Sequence, residues 1–207
     1  MNRSIRFNPL ALRSARPALA VLAIILFAVS AFQTQLAEAA PQTQQAPPKP
    51  AQKEFQLTSS AFEPDGAIPL KYACTGSNVS PALAWTDPPD GTQSFALVVD
   101  DPDSASATPA VHWLIYAIPA VHRALAENTL RKATLPDGTR QGRNSAGKVG
   151  YSGPCPDPGK PHHYFFKLYA LDYVPDLKPK AKIADVEAAI KGHVLAKTEL
   201  IGRYQRE

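Results

Sequence analysis

Two aspartates, two histidines and a tyrosine are spaced along this sequence so that they could build one polar pocket. Asp101 and Asp103 flank Pro102 just beyond the apolar run FALVV, His112 opens the run HWLIYAI, and His162 and Tyr164 stand two residues apart in HHYFFKLYAL. Imidazole N–H, phenol O–H and the backbone N–H groups of a Gly-containing loop at Gly153 are all donors, and convergent donors are what a phosphate or carboxylate needs. A carboxylate such as Asp101 fits beside an anion if it accepts from one ring nitrogen of a histidine, fixing the tautomer or holding the ring cationic so that the other nitrogen donates to the ligand. Plainer readings stand beside this one. A histidine next to a tryptophan, as His112 is, more often fills a satisfied core position; Asp103 serves equally as a turn cap and Tyr164 as plain core. His122 and His193 read as surface or structural. Two aspartates and two histidines are also a plausible metal-ligand set for a hydrolase, but they do not lie at a recognised close spacing and no nucleophile is paired with a base.

The elements that must position these groups are mostly strands. His163 to Leu171 is rich in aromatic and aliphatic residues without Gly or Pro, which suits a central strand covered on both faces. Its two-residue period puts His162, Tyr164, Phe166, Leu168 and Ala170 on one side. The Gly/Pro-rich loop before it, GYSGPCPDPGKP, roofs the strand's mouth. Further strands are expected over Phe55–Phe62 and Ile68–Cys74 around the turn Glu63-Pro64-Asp65-Gly66, then over Ser80–Trp85, Ser94–Val99, His112–Ile118 and Val194–Tyr204. Pro102 and Pro119 end two of them. Ala124–Asn144 reads as loop. Ile183, Val186, Ala189 and Ile190 fall at helical spacing with Gly192 as a stop, which gives one short amphipathic helix. Many short strands with one helix predict a mainly β protein, an antiparallel β-sandwich or barrel with short peripheral helices. There is no repeat period, phosphate-binding glycine loop or nucleophile elbow.

Of the 207 residues, 44% are hydrophobic, enough for a substantial core. Residues 1–39 combine four arginines, the apolar run Pro17–Phe32 and the small-x-small site Ala37-Glu38-Ala39, the pattern of a cleaved secretory signal; the rival reading is an uncleaved anchor. Cleavage would remove four of the 22 basic residues and one of the 18 acidic ones, leaving 18 against 17. The basicity thus belongs to the signal, and the mature chain carries no footprint for nucleic acid and no transmembrane segment. Residues 40–53, rich in Pro, Gln and Ala, read as a disordered linker, and 54–207 as the folded domain. The only cysteines, Cys74 and Cys155, sit in loop-forming motifs of a chain targeted to an oxidising compartment, periplasmic or secreted, so a disulfide between them is expected, with two free thiols as the alternative.

Three stretches, DDPDS at 100–104, HWLIYAIPA at 112–120 and GYSGPCPDPGKPHHYFFKLYALD at 150–172, closely resemble the phosphatidylethanolamine-binding protein family in its bacterial, Raf-kinase-inhibitor-like form. CTGSNVSPALAW at 74–85 and IKGHVLAKTELIGRY at 190–204 match as well, so the resemblance runs from about Phe55 to Tyr204. It implies a β-sandwich with a shallow anion pocket made by Asp101, Asp103, His112, Gly153, Pro154, Pro156, His162 and Tyr164, and no cofactor. Two departures limit it: Pro154-Cys155-Pro156 replaces the adjacent prolines of animal members, and the C-terminal helix that borders the pocket in those members is not matched after Tyr204. Regulation resting on that helix does not carry over. The leading expectation is an exported, non-enzymatic binding protein for a small anion or phospholipid head group. An inhibitory, partner-binding role of the pocket loops comes second and a metal-dependent hydrolase last.

Overall fold

The computed structural model describes residues 54–207; the expected signal at 1–39 and linker at 40–53 lie outside the described residues. Among the described residues there are nine strands and one α-helix: β1 (Gln56–Ser59), β2 (Gly66–Ala67), β3 (Leu83–Thr86), β4 (Ser94–Asp101), β5 (Ala110–Pro119), β6 (Ala124–Leu125), β7 (Arg140–Gln141), β8 (His162–Leu171), α1 (Ile183–Ile190) and β9 (Val194–Tyr204). They form a three-stranded sheet in the order β1-β3-β6 and a six-stranded sheet in the order β2-β9-β8-β4-β5-β7. All pairings are antiparallel except that of β2 with β9.

The main core lies between the two sheets. Leu57, Leu83, Trp85 and Leu125 of the small sheet meet Phe95, Leu97, Val99, Trp113, Ile115, Tyr164, Phe166 and Leu168 of the large one. This is the mainly β, two-sheet architecture that the alternation of apolar residues predicts. A second cluster sits on the outer face of the large sheet, where Val186 and Ile190 of α1 cover Ala96, Val98, Leu114 and Tyr116. Helix α1 stops as expected, with Gly192 at φ 86°.

Several expectations need correction. Ile68–Cys74 is not a strand but a turn of 3₁₀-helix over Leu70–Tyr72, because Pro69 cannot join a ladder and Ala73 N–H closes instead on the Leu70 carbonyl at 3.0 Å. The first strand is shorter than expected, ending at Ser59, and β3 starts only after Pro81. The loop segment 124–144 contains β6 and β7, each too short to show a period.

Strand β8 is not covered on both faces: Tyr164, Phe166, Leu168 and Ala170 are buried, while Phe165, Lys167 and Tyr169 on the other side remain partly exposed. Lys167 explains the difference. Its ammonium donates to Asp100 Oδ2 at 2.6 Å and lies 5.4 Å from the Phe165 ring, so the outer face is completed by a salt bridge and an aliphatic stem. The strand covered throughout is β4, where all eight residues are buried.

Candidate functional site

The register of the large sheet brings the polar residues to one end. Strand β4 finishes at Asp101, paired with Ala110 near the start of β5, while Asp100 faces Phe165 near the start of β8. Both neighbours run antiparallel to β4, so one strand end and two strand beginnings meet. An open cavity of about 530 Å³ lies there, bordered by Asp101, Asp103, His112, Gly153, Pro156 and His162 among others.

Asp101 is 3% exposed and spends both oxygens inside the protein. Oδ2 accepts from His162 Nδ1 at 2.8 Å and Oδ1 from the backbone N–H of Asp103 at 2.8 Å. The role expected of Asp101, orienting a histidine through one ring nitrogen, is the one its geometry fits. Asp103 instead ties down the start of β8, accepting from both the backbone N–H and the Nδ1 of His163 at 2.9 and 2.7 Å. Those hydrogen bonds hold its carboxyl below the ordinary carboxylate value.

His112 reaches the cavity through a bulge. Val99 pairs with Trp113 and Asp100 with Val111, so His112 has no residue opposite it on β4 and the local twist turns it to the pocket side. Its Nδ1 lies 2.8 Å from the Ser152 carbonyl, which can only accept, so Nδ1 carries the proton. Burial lowers the pKa of His112, chiefly through loss of water around the charged ring. A neutral His112 therefore presents a lone pair at Nε2, and the donor expected there exists only when the ring is cationic.

The loop groups behave differently from expectation. Gly153 N–H is not free, because it donates to Asn78 Oδ1 at 2.7 Å. Glycine is required for another reason: a Cβ there would lie 2.0 Å from the Tyr72 carbonyl oxygen. Pro154 is buried behind the cavity and its carbonyl accepts from Cys74 N–H at 3.0 Å, whereas Pro156 forms part of the wall. Cys74 and Cys155 are joined as a disulfide with Cα atoms 5.4 Å apart, and both border the cavity.

Tyr164 is fully buried beneath the cavity floor, edge-on to the His112 ring at a centroid distance of 5.1 Å. Burial, with the Asp101 carboxylate adding to it, pushes its phenol pKa up. The hydroxyl faces Asp101 and the backbone at Cys155 without a hydrogen bond of good geometry to either, whereas Ser104 Oγ, in the cavity wall, has no partner. A buried donor without a partner in a cavity wall is unusual, since nearly all such groups are satisfied.

Sequence reasoning missed Asn78, Ser104, Asn144, Lys148 and Ser152. The two asparagines sit in Gly-containing stretches and are recognisable as turn residues, but nothing local shows that the turns face the cavity. Among the described residues no group of three or more His, Cys, Asp or Glu is placed to hold a metal ion.

The class of structure the chain presents is a two-sheet β fold with a polar cavity where three strand ends meet. The family described as phosphatidylethanolamine-binding protein matches residues 58–205, and the chain belongs to it. A UPF0098 protein of Methanothermobacter thermautotrophicus is 48% identical over 152 residues, covering 73% of this chain and 99% of the relative. Another from Aquifex aeolicus is 42% identical over 155 residues, 74% and 90% of the two chains. Among solved structures, Escherichia coli YbcL, described as a new member of the mammalian PEBP family, superposes with a TM-score of 0.69 at 34% identity, covering 75% of this chain and all of that one. The phosphatidylethanolamine-binding protein homologue CT736 of Chlamydia trachomatis gives 0.67 at 36% identity, covering 74% and 98%.

Proposed function

We propose that this member of the family is a non-enzymatic binding protein, exported to the periplasm or beyond, whose cavity takes a small phosphate-type anion, either free or as a phospholipid head group. The observation that supports it most is the pair of histidines at the cavity, each held through Nδ1 by an internal acceptor, beside the unpartnered hydroxyl of Ser104 in the cavity wall. Among the described residues neither imidazole shares a hydrogen bond with a hydroxyl or thiol that it could activate. A cationic His162 would donate from Nε2 to the anion while Asp101 keeps the ring in place.

Charge-assisted hydrogen bonds contribute about 1.5 to 3 kcal/mol each, so a few of them around a hydrated anion give millimolar to micromolar affinity. Titration calorimetry with inorganic phosphate and phosphoethanolamine tests the reading. His162→Ala is expected to weaken both by roughly tenfold to a hundredfold, and chelator to change neither. Binding that vanished with chelator would favour a metal site. A stable protein complex that survived the histidine substitution would favour partner binding through the loops.

A further inference from the structure

Resting on the anion-pocket reading, we infer that Lys148 makes the cavity select a doubly anionic ligand, a phosphate carrying a second acidic group, over a phosphate carrying an ammonium arm. The size of the cavity calls for more than a phosphate: about 530 Å³ is in the range that holds drug-sized ligands. Its charge points to the second group. Three carboxylates border the cavity, and each has a basic partner of its own: Asp101 with His162 at 2.8 Å, Asp103 with His163 at 2.7 Å and Asp157 with Arg206 at 3.5 Å. Lys148 is the one lysine or arginine in the wall, and among the described residues no acidic side chain pairs with it. Lys148 is thus the one fixed positive charge in the wall with no acidic side chain against it, whereas the imidazole partners of Asp101 and Asp103 offset those carboxylates only when protonated.

The lysine is also mounted on a built turn. Asn144, 5% exposed, donates its N–H to the Lys148 carbonyl at 2.9 Å and accepts the Lys148 N–H on Oδ1 at 3.0 Å. Its Nδ2 reaches Ser152 Oγ at 2.8 Å, in the strap that holds His112. Ser145 fastens the same turn to β5, donating to the Val111 carbonyl at 2.9 Å and accepting Val111 N–H on Oγ at 2.8 Å. The Lys148 backbone is thus fixed to both the β5 start and the pocket loop, while the long side chain remains free to meet a ligand. With phosphate at the histidines, the ammonium offers three donors and a point charge to a carboxylate or second phosphate, and repels an amine.

Calorimetry at low salt with inorganic phosphate, phosphoethanolamine and 2-phosphoglycolate, on wild type, Lys148→Ala, Lys148→Arg and His162→Ala, tests the inference. Phosphoglycolate is expected to bind tightest, and Lys148→Ala to remove that preference by about two- to fivefold, as an exposed charge allows. Lys148→Arg should keep it and added salt should compress it. If His162→Ala weakens phosphate while phosphoglycolate binds no tighter than phosphate, or keeps its advantage in Lys148→Ala, this inference falls and the anion pocket stands. If none of the three ligands binds wild type, both fall together.

Discussion

Gly153 is held to glycine by space. A methyl group there would meet the Tyr72 carbonyl oxygen at 2.0 Å and Ala73 Cα at 2.9 Å, both backbone atoms, one residue from the point where Cys74 bonds to the same loop. Neither side can give way cheaply, so Gly153→Ala is expected to cost about 3 kcal/mol or more. Urea unfolding measures it, and an unchanged midpoint would mean that the loop has slack. At this scale the sequence carries part of the site. The Asp101–His162 pair is legible because one residue ends an apolar run, the other begins one, and a carboxylate beside an imidazole has an evident use. The inward turn of His112 depends on a bulge that no residue type marks. Tyr164 shares the right face, but two residues further along the strand it lies under the floor, not in the wall.

Among the elements, the bond between Cys74 and Cys155 ties two sides of the cavity together, since it joins the end of the 3₁₀ turn to the loop that precedes β8. It closes a loop of 81 residues, for which the chain-entropy account gives roughly 4 to 5 kcal/mol. Reductant, or the double substitution of both cysteines by serine, should lower the melting temperature on the order of 10 °C. Calorimetric melts with and without reductant decide this, and coincident melts would show that packing alone holds the loop. The long strands β4, β5, β8 and β9 and helix α1 are readable from period and punctuation. The 3₁₀ turn is not, because Leu70, Tyr72 and Ala73 look like strand residues until the proline before them is given its weight. The outer face of β8 misleads for a related reason: Phe165 and Tyr169 suggest cover, yet α1 packs over β4 and β5, leaving Lys167 and Asp100 to finish that face.

For the molecule as a whole, titration sets the limits of stability. Burial holds the pKa of His112 below the ordinary histidine value, so the unfolded chain takes up that proton first; this contribution is complete above about pH 6.5 and is lost as pH falls. Asp103, lowered by its hydrogen bonds to His163, and Glu127, lowered by Lys71 and Tyr72, act in the same direction further down, below about pH 4. At the alkaline side burial raises the phenols of Tyr151 and Tyr164, and burial with Glu127 raises Tyr72 to about 12. Their contribution is present below about pH 10 and is lost as pH rises further. Urea midpoints should therefore form a plateau between about pH 7 and 9 with a fall on both sides, and stability still rising below pH 6 would contradict the burial of a neutral His112. The convergence of strand ends that builds the cavity also gives the large sheet two unlike poles. The opposite pole holds the 87–93 connection, the turn after Pro119 and the start of β9, and the eight residues of β4 set the two about 25 Å apart. A fluorophore or surface tether attached at exposed Asp90 would thus display the protein with its cavity end outward.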